Sequence, residues 1–304
     1  MKIGVQSGGI FDSRTAEEGM KLLHDCGFDC VDLNIDIHLP GSAIKKGPLT
    51  DFFDKSIEEL ETYFRPYKEA AKKYNITFSQ MHGPFPMYII NKSDVNAYMI
   101  MATEKCMAVA KYLGCPYIVV HPVGLSRLTS KENEHEVNMK IYRALIPAAK
   151  KYGVKVCLEN LFTSYHGRNI EGPCSQAAEA VSYIDALNAE AKKKCFAFCF
   201  DVGHSNLLSQ DMYETITTLG KRIQILHIHD NDGNNDLHMM PYTYRGKDLI
   251  TDWDGLIRGL KDVGYQGVLS FETFRVMASF PKEVHKEVLS LLSALGQYFS
   301  AKIG

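Results

Sequence analysis

Apolar and polar positions fall into alternating blocks along this chain. Apolar runs of five to seven residues recur, and each is followed by a longer stretch of helical periodicity. The runs predict strands at 2–7, 30–35, 76–82, 117–121, 154–160, 196–201, 223–229 and 267–272. The stretches between them predict helices at 14–26, 54–74, 94–113, 131–152, 175–191, 210–219, 253–263 and 282–299. Gly27 and Gly114 stand where two of the helices should stop. Pro66 should kink or split the helix at 54–74, and Pro147 should kink the one at 131–152. Residues 37–49 lack periodicity and read as a long loop. So do the segment carrying His166, Arg168, Gly172 and Pro173 and the polar, aromatic segment 229–250.

The run FAFCFD, Phe196–Asp201, shows the pattern most plainly. Side chains alternate along a strand, so Phe196, Phe198 and Phe200 share one side, and Ala197, Cys199 and Asp201 the other. Large rings suit packing on outer helices. Small residues ending in a carboxylate suit the inside and the C-terminal mouth of a barrel. Eight strand–helix alternations predict an α/β fold, a single (β/α)8 TIM barrel spanning 1–304 as one domain. A doubly wound open sheet concentrates its site at one switch point, which fits the pattern below less well.

From the third strand onward the strand ends carry His82, His121, Glu159, Asp201, His227 and Glu272. Each can ligate a metal or move a proton, and a barrel brings them to one mouth. His204, His229, Asp236 and His238 follow close behind. Singly, each is more simply a satisfied core or loop residue, and Asp201 alone would be a helix cap. Together they bring three carboxylates into one buried place, which is prohibitive without cations. A divalent metal is the economical answer. Mixed carboxylate and imidazole donors suit Mn²⁺, Mg²⁺, Co²⁺ or Zn²⁺.

Composition narrows the setting. The 304 residues suffice for a barrel, which needs about 250. The formal net charge of −2 gives no electrostatic case for nucleic acid or membrane partners. No basic, apolar leader opens the chain, and no apolar run approaches the roughly 18 residues of a membrane helix, so a cytoplasmic protein is expected. The eight cysteines form no CxxC pair and read as reduced core thiols. The Met99, Met101 and Met107 run reads as helix packing, and Trp253 as a packed helix start.

These motifs resemble a known family. LEN at Glu159, DVGH at Asp201–His204, LHIHDND from Leu226, DLH at Asp236–His238 and SFET with Glu272 are similar to the xylose-isomerase-like barrels. HGP at His82, HP at His121 and the DWDGLIRGLKDVGYQGVLSFE run fit as well, and the likeness is closest to the sugar phosphate isomerase/epimerase branch. The resemblance implies one divalent metal held by Glu159, Asp201, His227 and Glu272, with no nicotinamide or flavin. It makes Glu159 and Glu272 the catalytic pair, one removing and one returning a proton beside a carbonyl, and it makes His204 a substrate contact. The implied substrate is a small sugar, keto-sugar or polyol derivative, and a polyol dehydratase would use related chemistry. A homo-oligomer is compatible with the sequence.

The endonuclease IV type of trinuclear zinc phosphodiesterase, acting on abasic DNA, is the alternative. His82, His121, Glu159, Asp201, His204, His227, Asp236, His238 and Glu272 match its ligand set. Three departures count against it: LFTSYHGR after Asn160, Leu237 where an arginine belongs, and Gln6-Ser7 where a histidine belongs. A basic footprint for DNA is missing too. A binder without turnover would not need the intact glutamate pair. Within the expected branch, a strand-two glutamate is replaced by Asp32 or Asn34. Arg245 and Lys247 are candidate cations for a substrate phosphate or carboxylate, and Tyr242 and Tyr244 candidate pocket or loop-packing rings.

Overall fold

A parallel sheet carries the architecture of this computed structural model, which describes residues 1–47, 49–126, 129–244 and 251–304. Its strands are Lys2–Gln6 (β1), Cys30–Asn34 (β2), Thr77–His82 (β3), Tyr117–Val119 (β4), Lys155–Glu159 (β5), Phe196–Asp201 (β8), Ile223–His227 (β9) and Val268–Phe271 (β10). They lie in the order β10-β1-β2-β3-β4-β5-β8-β9. Backbone bonds join the two ends of that order. Ile228 donates to the Ser270 carbonyl at 2.9 Å, and Glu272 donates to the Ile228 carbonyl at 3.1 Å. The sheet is thereby a nearly closed (β/α)8 barrel, as the alternation predicts.

The two faces of β8 divide as its sequence requires. Phe196, Phe198 and Phe200 join the main core between strands and helices. Ala197 and Cys199 join Val119, Cys157 and Ile225 in a separate cluster that fills the barrel. All eight cysteines are buried free thiols, as expected.

The helices are Ala16–Asp25 (α1), Gly41–Lys46 (α2), Ile57–Lys73 (α3), Ser93–Leu113 (α4), Lys131–Tyr152 (α5), Ala177–Ala191 (α6), Val202–Leu207 (α7), Met212–Leu219 (α8), Trp253–Asp262 (α9), Phe274–Ser279 (α10) and His285–Ile303 (α11). Helix α4 stops at Gly114, whose φ of 76° few other residues adopt cheaply. Helix α3 starts with a reciprocal capping box between Ser56 and Glu59. Pro66 does not split it, and Leu60, Phe64 and Tyr67 anchor its buried face on both sides of the proline. Helix α5 likewise contains Pro147.

Three expectations need correction. Within 37–49, Leu39 and Ile44 are buried and pull the segment into the short helix α2. The segment with His166 is a β-hairpin, Phe162–Tyr165 (β6) against Arg168–Glu171 (β7). Its two turn residues, His166 and Gly167, both have positive φ, 49° and 75°, the conformation a two-residue hairpin turn requires. Helices α7 and α10 are six residues each, too short for a periodicity to show.

Candidate metal centre

The barrel brings the sequence-selected side chains to its C-terminal mouth. His82, Glu159, Asp201 and His227 end β3, β5, β8 and β9, and Glu272 follows β10. His121 lies two residues beyond β4. His204 enters from α7, whose first turn is capped by Asp201 Oδ1 accepting from the His204 amide at 2.6 Å. The cap reading of Asp201 therefore holds alongside its place in the cluster. Asp236 and His238 reach the mouth because the loop after β9 folds back, with Asp230 and Met239 exchanging backbone bonds of 2.8 and 2.9 Å. Arg245 and Lys247 lie outside the described residues. Tyr242 packs its ring near Trp253 and Phe299, at 5.5 and 6.0 Å between centroids, so its role is loop packing.

His227 is at the centre. Its Nδ1 lies 3.3 Å from Glu159 Oε1, 3.6 Å from Glu272 Oε2 and 3.9 Å from Asp201 Oδ2. Around it each carboxylate meets further imidazoles. Glu159 Oε2 is 2.9 Å from His121 Nε2, and its Oε1 is 3.4 Å from His204 Nδ1. Both Asp201 oxygens are 3.1 Å from His229 Nε2. Glu272 Oε2 is 3.3 Å from His238 Nδ1, and its Oε1 accepts from Gln6 Nε2 at 2.7 Å. Asp236 accepts from His238 Nε2 at 3.0 Å.

Burial and charge set the ionisation. Burial raises the pKa of Glu159, but His121 and His227 outweigh it and hold the carboxyl well below its ordinary value. Burial is likewise outweighed at Glu272 by His227 and His238, and at Asp236 by His204 and His238. Burial lowers His204, but Asp201 and Asp236 push it up to about 10. His238 rises to about 11, where Glu272 and Asp236 overcome the same burial. His227 is raised well above its usual value against burial, with Glu272 and Glu159 among the causes. His82 is lowered by burial and by the neighbouring His121.

These side chains fit a cation. His227 Nδ1 and Nε2, both ring nitrogens of His121, Glu159 Oε2 and His229 Nδ1 are buried without a hydrogen-bond partner. Unpaired donors of this kind in one buried place are costly unless something charged joins them. Among the described residues, the groups whose ligand atoms lie within 4.8 Å of one another include Asp201–His227–Glu272, His82–His121–Glu159 and His229–Asp236–His238. Cys199 forms another with Glu159 and His227, a neighbour the sequence reading placed only in the core. Burial keeps its thiol pKa well above the ordinary value, so it stays protonated.

Two further features went unread. A Cβ on Gly203 would lie 1.9 Å from His229 Cε1, so the glycine of DVGH is what lets that ring reach Asp201. Asn231 Nδ2 donates to the Gly203 carbonyl at 2.8 Å and ties the two segments together. Above the cluster is a cavity of about 490 Å³. Gln6, Asn34 and Asp36 give it a polar wall, and Phe85 and Phe274 an apolar one.

Comparison with known proteins agrees with this picture. Residues 20–295 match the family model described as xylose isomerase-like TIM barrel. Inosose isomerase from Bacillus velezensis is 23% identical over 279 residues, which span 90% of this chain and 89% of that protein. The structure of a D-tagatose 3-epimerase-like protein superposes with a TM-score of 0.66 at 23% identity, covering 97% of this chain and 99% of that one. The IOLI protein with a bound zinc atom superposes at 0.69 with 19% identity, covering 100% of this chain and 98% of that one. At these identities the two structures speak to the fold.

Proposed function

The chain belongs to the xylose isomerase-like TIM barrel family, and we propose that it is a divalent-metal-dependent isomerase or epimerase of a small sugar, keto-sugar or polyol derivative. The observation that carries the reading is the placement of two buried glutamates, Glu159 and Glu272, 3.3 and 3.6 Å from the same nitrogen of His227. Glu159, Asp201, His227 and Glu272 would hold the ion, which when bound supplies Lewis-acid polarisation of a substrate carbonyl. The glutamates have the second task. One takes the proton from the carbon beside that carbonyl, and the other returns a proton on the opposite face. His121 and His204 stand 2.9 and 3.4 Å from the Glu159 carboxylate, and Gln6 donates to that of Glu272 at 2.7 Å with His238 3.3 Å away, so each acid has imidazole beside it and Glu272 is held by a hydrogen bond as well. The polar wall of the cavity suits hydroxyl groups, and its volume of about 490 Å³ suits one sugar ring.

Relatives named inosose isomerase make a cyclic polyol ketone the first substrate class to try, followed by keto-hexoses. The test is exchange of the substrate's carbon-bound hydrogen with deuterated solvent, using protein loaded with Mn²⁺. Glu159→Gln and Glu272→Gln should each lower exchange by about 10²–10⁴-fold while leaving the fold intact. Exchange at the parent rate in both variants removes the glutamates from the reaction.

One observation favours a second reading, a trinuclear zinc phosphodiesterase. His82–His121–Glu159 and His229–Asp236–His238 form groups beside the central one. The metal content of each chain decides between them. One ion supports the isomerase. Three zinc ions with cleavage of abasic DNA support the hydrolase.

A further inference from the structure

The proposed ligands come from one half of the barrel, on β5, β8, β9 and the residue after β10. The other half meets them with His82 and His121, with the amides of Gln6 and Gln80, and with one completely buried acid. That acid is Asp32 on β2, with Oδ1 lacking any hydrogen-bond partner. Its Oδ2 lies 3.4 Å from His227 Nε2. Gln80, its register neighbour on β3, donates from Nε2 to the same oxygen at 3.1 Å. That amide also donates to the carbonyl of Leu226 at 3.2 Å, so Gln80 ties Asp32 to the residue just before His227.

We infer that Asp32 is a positioning residue for the metal centre: its carboxylate, 3.4 Å from His227 Nε2, holds the ring proton on that nitrogen by charge and so leaves the Nδ1 lone pair toward Glu159, Asp201 and Glu272. The inference rests on the metal-site reading above. A neutral imidazole offers one N–H and one lone pair, and whatever accepts the N–H decides which nitrogen is free. Leu226 and Gln80 leave His227 Nε2 facing the Asp32 carboxylate, while Nδ1 faces three others. A carboxylate behind an imidazole also makes it a stronger donor to a metal. A fully buried acid with an unpaired oxygen has little to gain from packing alone. Asp32 thus acts through His227 from the level of Gln80, two residues before the strand-end His82 on the neighbouring strand. Asn34, the other candidate, accepts from the Asp36 amide at 3.0 Å and borders the cavity instead.

Asp32→Asn tests this with Zn²⁺ alone as the probe. Zinc affinity measured by competition with a chromophoric chelator should fall by about 10–100-fold, while the metal-free variant melts where the metal-free parent does. An affinity equal to the parent's overturns the inference. So does a lowered melting temperature in the metal-free variant with the affinity loss in proportion, which marks a merely structural role. A second measurement needs no variant. Imidazole ¹⁵N resonances of the zinc-loaded parent should place the His227 proton on Nε2, and a proton on Nδ1 overturns the assignment even if the variant fails to fold. A parent that takes up no zinc rejects the metal-site reading itself, an outcome distinct from tight binding by both proteins.

Discussion

Glu159 stands between His121, His204 and His227, and Glu272 between His227 and His238, so each acid of the mouth is matched by imidazole. Without metal, this matching makes stability depend on pH in both directions. His204 and His238 have folded values of about 10 and 11, above the usual histidine value of about 6.5. Their contribution is fully present below pH ~6.5 and is lost as pH rises toward 10 and 11. Glu159, Glu272 and Asp236 are shifted the other way, so theirs is present above the ordinary carboxylate range and lost as pH falls below it. Urea midpoints of chelator-treated protein should therefore fall on both sides of a maximum between about pH 5 and 7. A flat profile would mean that the folded histidines are not charged. The six strand-end residues were legible in the sequence because strand parity and barrel geometry bring such positions together. The approach of His229 to Asp201 was not, because it depends on the missing Cβ of Gly203, and the meeting of Asp32 with His227 depends on contacts across the barrel.

Among the elements, the hairpin β6–β7 is a pair of strands outside the barrel's repeating strand–helix unit. Phe162 at its base lies 5.2 Å from the His204 ring, and Asn169 Nδ2 donates to the Asn234 carbonyl at 2.7 Å. It thus ties the loop after β5 to the loop that carries Asp236 and His238. Replacing residues 162–171 by a short glycine–serine link should leave the far-UV spectrum almost unchanged and raise KM for the substrate more than it lowers kcat. A variant with parental KM would show that the hairpin takes no part in substrate binding. Sequence periodicity missed this element because its strands are four residues long and mostly polar, although the His166-Gly167 pair is a turn signal. Helix α3 was legible, and the one alternative that failed there is a split at Pro66, a local breaker outweighed by burial along one face. Helix and strand identity were otherwise readable wherever an element was long enough to repeat its period.

For the whole molecule, the barrel was the most legible feature. Eight repeats of one pattern constrain topology far more tightly than any single repeat. Less visible was how the circle is completed. All but one of the neighbouring barrel strands pair by ladders of two or more residue pairs, two of them with a register shift, whereas β9 and β10 meet at the single bridge from Ile228 to Phe271. That is the seam of the barrel, and the two strands beside it lead to His227 and Glu272. An ion gripped by both would act as a clasp over the line where the cylinder is most easily parted. Chelation should accordingly speed deuterium uptake at the Ile228 and Glu272 amides before it affects β2 or β3, and added Zn²⁺ should slow it again. Uniform uptake around the barrel would show that the seam needs no fastening. If the clasp operates, the atoms arranged for chemistry at the mouth also keep the cylinder shut.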